Sequence, residues 1–164
     1  MTVIGLDPGP HYSALVSYDG TVGSCTILSN AEIRGVLHVS LADVLVIEEV
    51  QSYGMAVGKD VFQTVFESGR LAAAWEPRKW HLLGRRDVKV HLCHSARATD
   101  SNLRQALVDR FGPSREAAMG TKKAPGPLYG IKSHLWAALA IAVTWHDLFG
   151  ATPPEIRSGV VPEW

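Results

Sequence analysis

Thr2-Val3-Ile4-Gly5-Leu6-Asp7-Pro8-Gly9-Pro10 and Asp43-Val44-Leu45-Val46-Ile47-Glu48 decide how this chain is read. The first predicts a strand over 2–7 that ends in an acid and turns at once on Pro8-Gly9-Pro10. The second is a continuous apolar run over 43–48, the pattern of a strand buried on both faces, and it too ends in an acid. Sheet ends are where α/β folds place ligands. Two carboxylates brought together there repel and need a proton or a cation. Hard divalent ions such as Mg²⁺ take oxygen ligands, and a pair of them supports phosphodiester hydrolysis. The alternative is that each acid merely begins a loop. Neighbouring strand residues point to opposite faces, so Glu48 is preferred over Glu49 as a ligand. Glu49 is left to solvent, a basic group or a substrate backbone.

Outward from these strands, residues 12–18 read as a second strand, Asp19-Gly20 as a hairpin turn, and 21–28 as a third strand. Residues 30–40 suggest a short helix begun by Asn30. Val61, Phe62, Val65, Phe66, Leu71, Ala72 and Ala73 recur near helical spacing within 57–75. Phe62 and Phe66 are expected in the core, with an apolar dimer face as the other use of this helix. Gly69 inside it suggests close packing on a strand. Val88-Lys89-Val90-His91-Leu92 alternates as a strand, and Asp100 or Ser101 caps a helix to about Phe111. Residues 112–130 hold four glycines, three prolines and Lys122-Lys123, and read as a mobile basic loop. Residues 131–148 form the last helix. The order predicts an α/β fold, a mixed sheet with helices on both faces, in one domain over 1–149 with a tail over 150–164.

The 164 residues carry no formal net charge. The charge is nevertheless segregated. Residues 1–77 carry three cations and nine acids, whereas 78–134 carry twelve cations and four acids. An acidic site beside a basic surface fits nucleic acid. No apolar run reaches membrane-spanning length, and the first residues lack a signal-peptide layout, so the expectation is an intracellular protein with no membrane partner. Cys25 and Cys93 read as buried free thiols in strand-like segments. His91 and His94 straddle Cys93 with no second pair at zinc spacing.

Ile4-Gly5-Leu6-Asp7-Pro8-Gly9 resembles the opening of RuvC-type Holliday junction resolvases, and Val46-Ile47-Glu48-Glu49-Val50 resembles their second acidic strand. Ala137-Ala138-Leu139-Ala140-Ile141-Ala142 is similar to their last helix. Residues 51–62, 97–107 and 130–132 resemble the bacteriophage-like branch of that family. The likeness spans nearly all of Thr2 to Asp147. It implies a ribonuclease H-like fold with a mixed five-stranded sheet, and a metal-dependent DNA endonuclease acting on four-way junctions or other branched DNA. It also implies a homodimer, Mg²⁺ or Mn²⁺, water as nucleophile, 5′-phosphate ends and a phage protein at work in a bacterial host.

The resemblance makes Asp7 and Glu48 metal ligands and puts His134 at a third ligand position. On its residue type alone His134 reads as a structural histidine. Ala137 falls where the family has an Asp. Three side chains then suffice, another group such as Asp100 moves in, or the chain binds branched DNA with impaired cleavage. Arg97, Arg104, Lys122, Lys123 and Lys132 are the expected phosphate contacts, since Lys and Arg neutralise backbone charge. Tyr53 is expected either to stack on DNA or to pack in the core. The glycine-flanked Asp7 also occurs in actin-like kinases, but that architecture needs two such domains.

Overall fold

The computed structural model describes residues 1–52 and 54–150. Five strands, β1 (Val3–Asp7), β2 (Tyr12–Tyr18), β3 (Val22–Ser29), β4 (Val44–Glu49) and β5 (Trp80–Gly84), form one sheet in the order β3-β2-β1-β4-β5. β1, β2 and β3 pair antiparallel in a meander, while β4 pairs parallel to β1 and β5 parallel to β4. The helices are α1 (Asn30–Val39), α2 (Lys59–Trp75), α3 (Arg85–Cys93), α4 (Asp100–Phe111), α5 (Arg115–Met119) and α6 (Leu135–Phe149). The mixed five-stranded α/β sheet expected from the sequence is therefore present.

Strand alternation divides the core. Ile4, Leu6, Leu45 and Ile47 pack with Ile33, Leu37, Leu71 and Trp75 of α1 and α2. Val3, Val44 and Val46 pack on the other face with α6 and with Leu103 and Leu107 of α4. α6 is buried along most of its length, so its apolar residues do not form a single stripe. It lies against β1 because Gly5 has no side chain. A Cβ there would stand 2.1 Å from the Ala138 carbonyl oxygen and 2.9 Å from the Ala142 Cβ.

The fifth strand is Trp80–Gly84, and residues 88–92 belong to α3 instead. Val88 and Leu92 stand four apart and meet the core on one helical face, while Val90 is exposed. An i,i+2,i+4 alternation contains that pair, which is why it imitates a strand. α1 begins as expected, with a capping box between Ser29 and Glu32. α4 takes Thr99 as its N-cap, one residue before the expected position.

α2 buries Leu71 and Ala72 of the expected apolar set but turns its first half outward. Phe62, Val65 and Phe66 are exposed, while Thr64, Glu67, Leu71, Ala72 and Trp75 are buried. Glu67 is held by Arg34 at 3.0 Å and Arg70 at 2.9 Å, so a paired acid occupies a core-facing position. Gly69 is exposed and a Cβ there would meet nothing within 4 Å, so it packs on no strand.

Residues 112–130 are a folded segment rather than a mobile loop. They contain α5, a bridge from Gly120 to Pro125, and two fully buried side chains, Ala118 and Leu128. Cys25 and Cys93 are free and half-buried, and Cys93 ends a helix. No helix among the described residues is long and apolar enough to cross a membrane.

Candidate functional site

The register of the central strands brings the two acids together. β1 and β4 run parallel with Leu6 opposite Ile47, so Asp7 and Glu48 leave the same end of the sheet on neighbouring strands. Asp7 continues the alternation of Val3 and Gly5, and Glu48 that of Val44 and Val46. Both therefore emerge on the α6 face. Glu49 has the opposite parity, and its Oε2 accepts a hydrogen bond from Gln51.

The turn after Asp7 is fixed by polar groups that the sequence reading leaves unassigned. Buried Asn30 donates from Nδ2 to the Gly9 carbonyl at 3.0 Å and accepts from Ser13 Oγ at 2.6 Å. Ser13 Oγ also accepts from the Gly9 amide at 3.3 Å. A Cβ on Gly9 would fall 2.4 Å from the Tyr12 carbonyl, so only glycine fits.

A cleft of about 490 Å³ opens over this end of the sheet, lined among others by Asp7, Glu48, Glu49, Arg85, Asp100, Arg104, His134 and Ala137. His134 is the N-cap of α6, one residue before the helix, and its Nδ1 lies 2.9 Å from Asp7 Oδ2. Burial, and next the charge of Glu48, push the Asp7 carboxyl up to about 7, although His134 pulls it down. Asp7 therefore keeps a proton near neutrality unless a cation replaces it. Ala137 stands one helical turn beyond His134 and presents a methyl group to the cleft.

Glu48 is gripped by Arg85, which the sequence reading does not single out. Arg85 Nη1 donates to Glu48 Oε1 at 2.8 Å, and Nη2 donates to Asp100 Oδ1 at 2.7 Å. Burial works against the charge of Arg85, but the hydrogen bonds it donates to Asp100 and Glu48 outweigh that and hold the guanidinium protonated. Hydrogen bonding from Arg85 holds the Asp100 carboxyl below its ordinary range. Glu48 Oε2 is buried without a hydrogen-bond partner. The signal for Arg85 lies in Leu82-Leu83-Gly84-Arg85, a short apolar strand followed directly by a cation, and the stronger alternation of residues 88–92 masks it.

Of the expected phosphate contacts, Arg104 lines the cleft. Arg97, Lys122, Lys123 and Lys132 are exposed and do not line it. Lys122 and Lys123 ride a turn closed by hydrogen bonds between the Thr121 and Ala124 backbones. Tyr53 lies outside the described residues.

No family model matches this chain, and no curated protein matches it in sequence. Solved structures do. Thermus thermophilus RuvC superposes with a TM-score of 0.61 at 21% identity, over 92% of this chain and 97% of that one. The fold is that of RuvC. T. thermophilus RuvC in complex with a Holliday junction substrate gives a TM-score of 0.63 at 22% identity, over 92% of this chain and 94% of that one. The RuvC fold thus extends across almost the whole described chain.

The carboxylate oxygens of the cleft are of the kind a hard cation takes. Two carboxylates on adjacent strands, a shared proton demand at Asp7 and a buried oxygen of Glu48 without a partner are what such an ion would satisfy. These oxygens do not suffice for two such ions. Ala137 has no donor atom, Glu48 Oε1 is taken by Arg85, and among the described residues no group of three or more His, Cys, Asp or Glu is arranged to hold a metal.

Proposed function

We propose that this chain binds branched DNA, four-way junctions foremost, across the cleft at the end of β1 and β4, with its capacity to cut that DNA impaired. The observation that carries the second half is Ala137, a methyl group facing the cleft one turn from His134. The first half is supported by the RuvC fold, by Arg104 in the acidic cleft and by further exposed cations outside it. A junction presents phosphates close together at its centre, where cations on one face of a protein neutralise several at once. Arg104 sits in the cleft, while Arg97, Lys122, Lys123 and Lys132 are exposed to meet the duplex arms.

Two copies of the chain fit the symmetry of a four-way junction. The exposed Phe62, Val65 and Phe66 on α2 are a surface on which a homodimer could close. Gel-shift titration tests the reading: a labelled four-way junction should bind at least about tenfold more tightly than linear duplex of the same length. Equal affinity for the two would refute it.

A second reading, the metal-dependent endonuclease that leaves 5′-phosphate ends, is favoured by the pairing of Asp7 and Glu48 at one end of the sheet, where burial and mutual repulsion disfavour two charges without a cation. Asp7 and Glu48 would hold Mg²⁺ or Mn²⁺, which supplies Lewis acidity toward a phosphodiester. In that reading His134 orients Asp7, and Arg104 binds the strand to be cut. Symmetric nicks by the unaltered chain that require metal and vanish in Asp7→Asn would select this reading over the first.

A further inference from the structure

Arg85 joins two carboxylates from separate elements through two different nitrogens. It is the first residue of α3, directly after the edge strand β5, whose register sets Leu83 against Glu48. Asp100 is the first residue of α4, whose start is fixed by the Thr99–Asn102 capping box. The guanidinium is planar and permanently charged, so it bridges two fixed acids with directional, charge-assisted bonds. Two convergent carboxylates with a cation between them is also how a protein holds a divalent metal ion. In this cleft the cation between Glu48 and Asp100 is a side chain, at 2.8 and 2.7 Å. Glu48 keeps one oxygen free, and Ala137 supplies no further donor.

We propose that Arg85 is a positioning residue acting as the resident cation of the cleft, neutralising Glu48 and Asp100 so that the site takes one divalent ion, on Asp7 and the free oxygen of Glu48, instead of two. The fork also fixes the side chain of Glu48, since the arm that binds Oε1 leaves only Oε2 for the ion. Exposure along the fork is graded. The Glu48 side chain is 12% exposed and that of Asp100 56%, so the Asp100 arm is the one solvent reaches.

The proposal rests on the cleft being a cation site and is independent of whether DNA is the ligand. The test counts Mn²⁺ bound to the full chain by titration calorimetry and by loss of the free-ion electron paramagnetic resonance signal. Arg85→Gln should bind one equivalent more than the unaltered chain, because Glu48 and Asp100 are then released as a pair of ligands. Arg85→Lys, which keeps the charge, should bind the same number as the unaltered chain. Arg85→Gln combined with Asp100→Asn should lose the extra equivalent. Equal counts in the unaltered chain and Arg85→Gln would overturn the proposal. If Arg85→Gln does not fold, the unaltered chain decides: one equivalent supports the proposal and two overturn it. Junction affinity measured without metal stands apart, so a failure of the DNA reading would leave the ion count intact.

Discussion

At Asp7, burial and a neighbouring carboxylate both act against the charged form. The Asp7 carboxyl is pushed up to about 7 by burial and by Glu48, against an ordinary value of 3.8. The folded state therefore holds a proton that the unfolded state has lost across that window. Stability from this group is greatest below the unfolded value and falls as pH rises toward 7. Asp7→Asn removes the ionisable group. In metal-free buffer it should raise the melting temperature by about 5 °C at pH 8 and far less at pH 4. A variant less stable than the parent at pH 8 would show that burial of Asp7 carries no such cost. Saturating Mg²⁺ should in turn raise the melting temperature of the parent chain and leave that of Asp7→Asn unmoved.

Among the elements, α6 depends on Gly5. Adding one methyl group at that position meets the Ala138 carbonyl at 2.1 Å, with backbone on both sides. Gly5→Ala should destabilise the fold by about 1–3 kcal/mol or more, read as a lower denaturation midpoint. An unchanged midpoint would mean that α6 can shift away from β1 freely. The same scale shows what the sequence makes legible. β1 and β4 are readable because a strand buried on both faces is apolar at every position, and the acids at their ends stand out against it. β5 is not readable. Trp80-His81-Leu82-Leu83-Gly84 is a short edge strand, only partly buried, and its signal is weaker than the accidental alternation of 88–92. α2 shows the converse failure. Its exposed Phe62 and Phe66 look like core, and its buried Glu67 looks like surface, because an ion-paired acid and an outward apolar face reverse the usual pattern. The cleft inherits this division. Asp7, Glu48, His134 and Ala137 lie on elements that the sequence reveals, whereas Arg85 follows the strand that it conceals.

For the whole molecule, the segregation of charge has a measurable counterpart. Replacing Lys122 and Lys123 together by alanine should weaken DNA binding uniformly and reduce the slope of log affinity against log salt by about 2. A change confined to junctions, with no change in slope, would assign those lysines to something other than phosphate contact. If α2 is a dimer face, the parent should sediment as a dimer and Phe62→Glu combined with Phe66→Glu as a folded monomer; a parent that stays monomeric would refute that use of the face.

Whether the missing donor at Ala137 impairs cutting is read most directly from the cleavage of a labelled four-way junction by the unaltered chain and by Ala137→Asp. Both are to be assayed with Mg²⁺, Mn²⁺ or EDTA, beside matched linear duplex. Both proteins should bind the junction, and Ala137→Asp should cut it in a metal-dependent way at least about a hundredfold faster, which is a barrier lower by roughly 2.7 kcal/mol. Cutting by the unaltered chain as fast as by Ala137→Asp would contradict the impairment and establish an intact endonuclease.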